Sequence, residues 1–246
     1  MLRNVIIMTS SGIVLFSKEF VSPVGKPGLL GGIITAMVDF SEQKTGLPVS
    51  YIELKNVCLA VCSDGSHKMC CALFCDVSDG AEFAQLICKE LLECFTETYA
   101  TQLEQKQQSN LDAYADFYVK IADSIRNAVR PVLDQFQMST RGIMQAVLIS
   151  GDTIVHSTVD VDKLSVLANH QALLALAADT MSAKNDSAMA LEIKGDMTTV
   201  LLQKIERSSF VVMYRNNVPS CRADITKTAN LLKLVLVTAS NLQDRK

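Results

Sequence analysis

One hairpin pattern occurs twice in this chain, and that repetition constrains the fold more than any other feature. Asn4 to Ser17, NVIIMTSSGIVLFS, returns in altered form as AVLISGDTIVHST from Ala146 to Thr158. Each copy is an apolar run, a tight polar turn and a second apolar run. Ser11-Gly12 and Gly151-Asp152 each supply a residue that tolerates positive φ. Two short strands joined this way start a sheet locally, so the chain is expected to hold two copies of one unit. Its 246 residues leave room for two domains of ordinary size.

Between the copies, Val21 to Pro27, with Pro23 and Gly25, reads as a breaker loop. A helix is expected from about Gly28 to Lys44, ended by Gly46 and Pro48, with Leu30, Ile33, Ile34, Met37 and Phe40 or Val38 on one stripe. Strand signals follow at Val49 to Asn56, Val57 to Ser63 and His67 to Asp76, the last two joined at Asp64-Gly65. Both alternating sets of those two strands are largely apolar, which predicts burial on both faces. Asp79 and Glu82 read as a capping box that opens a helix to about Tyr99, with Phe83, Ile87, Leu91 and Phe95 toward the sheet. The polar run Thr101 to Asn110 is a solvated helix end or linker. Leu111, Tyr114, Tyr118, Ile121, Ile125, Ala128 and Val132 then form the seam of a third helix, which Pro131 ends or kinks.

After Arg141 the pattern restarts. Strands Ile143 to Ser150 and Thr153 to Val159 form the second hairpin, and Asp160 or Asp162 caps a helix to about Ser182. Its stripe is read as Leu164, Leu167, Ala168, Gln171, Leu174 and Ala178. Strands Ala188 to Lys194, Met197 to Lys204 and Ser209 to Arg215 come next. A final amphipathic helix runs from about Cys221 to Leu242, carrying Ile225, Ala229, Leu232, Leu236 and Ala239. Strand, strand, helix, three strands, helix therefore occurs twice. That order implies an α+β fold of two units, each a five-stranded, mostly antiparallel sheet packed by helices.

Charge and composition exclude whole classes. The net charge is -3, and Lys18, Lys26, Lys89 and Lys204 belong to no common cluster, so no nucleic-acid partner is expected. The apolar run Leu29 to Val38 is about half the roughly 20 residues that a bilayer crossing needs, so no membrane insertion is expected. Met1-Leu2-Arg3-Asn4 begins no signal peptide, Leu2 stands where myristoylation needs glycine, and Asp244-Arg245-Lys246 offers no prenylatable cysteine. Cys58, Cys62, Cys70, Cys71, Cys75, Cys88 and Cys94 crowd one region, with Cys221 apart. Without a signal peptide they read as reduced, cytosolic thiols, and the Asn185-Asp186-Ser187 sequon as a polar turn.

The unit from Leu2 to about Phe136, with consecutive helices after its last strand, resembles the longin domain. The unit from about Arg141 to Lys246 is similar to the roadblock domain. That second likeness rests on the AVLIS-GD-TIVHS hairpin and on the later Gly195-Asp196 turn followed by VLLQKIERSSFVVMYR. The domains are accordingly read as 1–137, longin-like with a third helix over about 111–137, and 138–246, roadblock-like. Both belong to a profilin-like architecture. The first helix of many roadblock domains would have to be that same third helix. Either it serves both units, or the second unit is another longin-like domain.

Several candidate chemistries fail on spacing. Cys58, Cys62, His67, Cys70, Cys71 and Cys75 offer soft zinc ligands, yet alternation sets Cys70 opposite Cys71 and Cys75, and no Cys-x-x-Cys knuckle exists. Core packing is the better reading, since free cysteine is among the most buried residue types. Ser150, Asp152 and His156 lie close in sequence, but Gly-x-Ser-x-Gly is missing and turn chemistry explains them. His170 reads as a satisfied, partly buried histidine. Neither a P-loop nor Gly-x-Gly-x-x-Gly is present. No catalytic, metal or cofactor residue is therefore assigned, and no enzyme is expected.

What the resemblance implies is surface. In both families an outer strand and the helix beside it serve for pairing, and the partner class is a small GTPase. On this chain those edges are Val49 to Asn56 with the first helix, and Ala188 to Lys194 with the Asp162 to Ser182 helix. The edge residues are Tyr51, Glu53, Lys55, Ala190, Glu192 and Lys194. Open strand edges favour a homo- or heterodimer, with Glu53, Lys55, Glu192 and Lys194 as rim charges or simply solvating groups. The implied role is a cytoplasmic adaptor or regulator, peripheral on endomembranes in trafficking or signalling. The alternatives are a structural subunit of a coat, tether or motor complex, and a thiol enzyme or redox sensor. The last of these needs an exposed cysteine of low pKa.

Overall fold

The computed structural model describes residues 1–21, 25–104, 111–159, 165–182, 189–218 and 221–243. Pro23, the run beyond Glu104, the Asp160 or Asp162 cap and the Asn185-Asp186-Ser187 turn lie outside these residues. The chain divides into two compact units, Met1–Ala128 with Thr238–Lys246, and Val129–Val237.

The first unit is built from β1 (Leu2–Thr9), β2 (Val14–Glu19), α1 (Pro27–Thr45), β3 (Tyr51–Glu53), β4 (Val57–Asp64), β5 (Met69–Asp76), α2 (Ala81–Thr98) and α3 (Ala100–Glu104). A 3-10 segment, Leu111–Val119, and α4 (Ile121–Asn127) follow. The antiparallel sheet has the order β2-β1-β5-β4-β3. Ile6, Met8, Leu59, Val61, Cys70, Ala72 and Phe74 cluster on one face under Ile34, with Leu30 and Val38 beside it. Strand alternation sends Val5, Ile7, Ala60, Cys71, Leu73 and Cys75, all buried, to the other face. There α2 buries Phe83, Ala84, Ile87, Cys88, Leu91, Leu92 and Phe95. The Cys88 thiol points at the Cys71 carbonyl at 3.2 Å and the Ala60 carbonyl at 3.5 Å. A central sheet covered on both sides explains the unbroken apolar strands.

Three local expectations change here. The inner stripe of α1 is Leu30, Ile34 and Val38, whereas Ile33, Met37 and Phe40 face outward. A nineteen-residue helix lying on one sheet face buries a narrow row spaced by four, not both halves of each apolar doublet. Asp79 and Glu82 form no capping box. Gly80, with φ 83°, takes the N-cap position, no side chain bonds to the cap, and Asp79 pairs with the Met1 amine. Strand β3 keeps only three of the eight residues expected, so Lys55 falls in the turn to β4.

The seam from Leu111 to Val132 is not one helix. It consists of the 3-10 segment, α4 and a separate α5 (Val129–Ser139), which lies in the second unit. With three residues per turn, positions 114 and 117 eclipse, so Phe117 rather than Tyr118 enters the core. Phe117 meets Phe16 edge-on at 5.2 Å and Phe95 at 5.0 Å. Tyr118 turns outward, with the Lys18 ammonium 5.5 Å over its ring. Pro131 sits in the first turn of α5, and its ring and missing N–H fall against the carbonyl four residues back, Asn127, where α4 ends, so the seam is interrupted as Pro131 predicts.

In the second unit α5 is followed by β6 (Ile143–Ser150), β7 (Thr153–Ser157), α6 (Ser165–Ser182), β8 (Ala190–Lys194), β9 (Thr198–Ile205), β10 (Ser208–Arg215) and α7 (Cys221–Gln243) as far as Val237, the end of α7 being counted with the first unit. Its antiparallel sheet has the order β7-β6-β10-β9-β8, the same topology as the first. The fold is thus α+β, with the ββαβββα order that the longin and roadblock resemblance implies present in both units. Val147, Ile149, Leu202 and Val211 form one core face with Leu173 and Leu174 of α6. Gln171 and Ala178, expected in the inner stripe of α6, are exposed, and His170 is buried instead. Phe136 of α5 packs 6.1 Å from Phe210 on the opposite face. Along α7, Cys221, Ile225, Ala229, Leu232 and Val235 are buried, so Val235 replaces the expected Leu236.

Candidate functional site

Helix α1 is apolar on both sides because its sequence writes doublets: Leu29-Leu30, Ile33-Ile34 and Met37-Val38. Adjacent residues lie 100° apart, so one member of each doublet packs on the sheet while the other faces away. The outward row consists of Leu29, 67% exposed, Ile33, 56%, and Phe40, 65%, with Met37 between them. Between these side chains Gly28 and Gly32 leave bare backbone, and a Cβ on either would meet nothing within 4 Å. A helix that is apolar all round is normally one that is covered on both sides. The doublets are the signal for this face in the sequence, although the expected stripe of Leu30, Ile33, Ile34, Met37 and Phe40 or Val38 puts Ile33, Met37 and Phe40 inside.

In the same unit β3 is the last strand of its sheet. Its inner edge pairs with β4, Tyr51 opposite Ala60 and Glu53 opposite Cys58. The pairing is extended by Val61 N–H to Ser50 O at 3.0 Å and Leu54 N–H to Val57 O at 2.9 Å. Tyr51 is half-buried, and that burial, reinforced by its hydrogen bond with Cys58, pushes its phenol up to about 12. Glu53 and Lys55 are exposed. Three residues make a short template for strand addition, and the exposed apolar face of α1 is the larger apolar surface of this unit.

The corresponding edge of the second unit differs. Strand β8 is five residues long, with Ala190 and Lys194 exposed. Glu192 accepts a hydrogen bond from the Tyr214 hydroxyl at 2.9 Å and another from Arg222 Nη2 at 3.2 Å, with Lys194 Nζ at 3.8 Å. Burial, then the Glu192 carboxylate, raises the Tyr214 phenol above its ordinary value. Glu192 therefore ties β8 to β10 and α7. Beside it, α6 exposes Ala172, Ala175 and Leu176, and the strand exposes Ile193.

The other candidate groups are not brought together as sites. His156 Nε2 lies 2.7 Å from Asp134 Oδ1 of α5, and Asp152 Oδ1 accepts the Gln171 amide at 2.7 Å. Ser150 is exposed at the end of β6, so Ser150, Asp152 and His156 make no relay. Cys58, Cys70, Cys71, Cys75 and Cys88 are buried and all eight thiols are free. Burial pushes the half-buried Cys62 up to about 11 and Cys70 to about 12, which keeps both protonated at neutral pH. Among the described residues no helix is long and apolar enough to cross a membrane.

No protein-family model matches the sequence, and no curated protein matches it. Among solved structures the chain is similar to Myxococcus xanthus MglB, at 13% identity and a TM-score of 0.42, over 46% of this chain and 91% of that one. It is also similar to a Roadblock/LC7 domain from Streptomyces avermitilis, at 12% identity and a TM-score of 0.37, over 45% and 92%. The gliding protein MglB from Thermus thermophilus matches at 15% identity and a TM-score of 0.38, over 46% and 92%.

Proposed function

We propose that this protein is a non-enzymatic cytoplasmic adaptor or regulator of a small GTPase, peripheral on endomembranes, that works as a dimer. The domain over about 1–137 is read as longin-like and that over 138–246 as roadblock-like, a boundary that falls within α5 rather than between the two compact units. The observation that carries the proposal is the outward row of α1, Leu29, Ile33 and Phe40, in a unit whose sheet also ends in the open edge of β3. A soluble chain that leaves such a row in water invites a partner that removes it. The edge residues Tyr51, Glu53, Ala190 and Lys194 border the two pairing surfaces, Lys55 stands at the turn beside the first, and Glu192 acts from within as a brace. The small GTPase as partner comes from the longin and roadblock resemblance.

Two measurements test this. Light scattering of the purified chain should give a dimer mass that Ile33→Asp with Phe40→Asp reduces to a monomer at unchanged helicity. Pull-down against Rab, Rag and Arf GTPases, each loaded with GDP or a GTP analogue, should retain one of them in one nucleotide state. Binding to none of the panel, with the dimer intact, would replace this reading with a structural subunit of a coat, tether or motor complex.

A further inference from the structure

We draw no further inference here: the strongest candidate, the hollow of about 410 Å³ beside the end of β2 lined by Lys18, Glu19, Phe20, Tyr118, Val119 and Ala122, sets an ammonium and a carboxylate on one rim, and nothing in the structure shows which ligand or chain segment covers it.

Discussion

At the first hairpin the turn lies so close to α1 that a Cβ on Gly31 would stand 2.8 Å from the Gly12 carbonyl oxygen and 2.9 Å from Val14 Cγ2. At the second, Gln171 of α6 reaches the Gly151-Asp152 turn. The Gln171 amide donates to Gly151 O at 3.0 Å and to Asp152 Oδ1 at 2.7 Å. The topology is shared, but one junction is held by backbone contact that only glycine permits and the other by polar groups at the surface. Contact of the first kind fixes helix against turn through many small dispersion terms and tolerates no added atom. Hydrogen bonds of the second kind compete with water and contribute modestly. The first unit therefore seats α1 on its turn by close backbone contact, whereas the second joins α6 to its turn through exposed polar groups.

Substitutions can break this contrast. Gly31→Val, which forces a branched side chain into backbone, should destabilise the first unit by about 3 kcal/mol in urea unfolding. The neighbouring Gly32→Ala points into open space and should stabilise by about 0.5–1 kcal/mol. Equal losses at both positions would remove the close-contact account. Gly12 and Gly151 both have positive φ, 86° and 57°, so alanine at either should cost about 1–2 kcal/mol. Only at Gly12 does the new Cβ meet Thr35 Oγ1, at 3.0 Å, so the excess at Gly12 should shrink in a Thr35→Ala background. Gln171→Ala should cost only about 0.5–1 kcal/mol, because its amide is exposed and water replaces the lost bonds.

The smallest effects are expected at the β4–β5 and β9–β10 turns. Each of those turns carries one non-glycine residue at positive φ, Lys68 and Glu206. In the first, the Ser66 hydroxyl foremost, then His67 and the Ser66 backbone, hold the Asp64 carboxyl down to about 2. A depressed carboxyl contributes stability above its unfolded value, near 3.8, and loses that contribution as pH falls through about 2. Because the pair is partly open to water, acid unfolding of Asp64→Asn should differ from the parent by less than about 1 kcal/mol over that window. In the second turn Glu206 lies 3.9 Å from Lys233 Nζ on the surface. Glu206→Gln should change stability in urea unfolding at neutral pH by less than about 0.5 kcal/mol.

The fold class, the element order and the doubled unit were legible in the sequence because strand alternation, turn residues and helical periods are local. The two apolar sets of β4 and β5 announced a sheet covered on both faces. Burial of Cys58, Cys70, Cys71 and Cys75 agrees with the core reading of these thiols, whereas Cys62 on the same strands is only half-buried. The candidate surface was legible only in outline. Periodicity placed Ile33 and Phe40 on α1, but which half of each doublet faces the sheet depends on the angle at which the helix lies. That angle is set by Gly31 against the Gly12 turn, a contact between residues nineteen apart in sequence that no local pattern encodes.

Other choices were likewise tertiary. Glu192 reads as a rim charge until Tyr214 and Arg222, supplied by β10 and α7, close on it. The stretch from Leu111 to Phe136 has a helical seam throughout, and helical spacing alone assigns it to either unit. Its division into a 3-10 turn, α4 and α5 follows from aromatic packing, which rewards Tyr114 and Phe117 on one face, and from the demand of the second sheet for Phe136 over Phe210. By itself the sequence determined the units, their order and their buried strands, since short-range sterics and hydrophobic alternation suffice for these. Only the tertiary structure decided which faces remain open, because a face is open or covered according to residues far away in the chain.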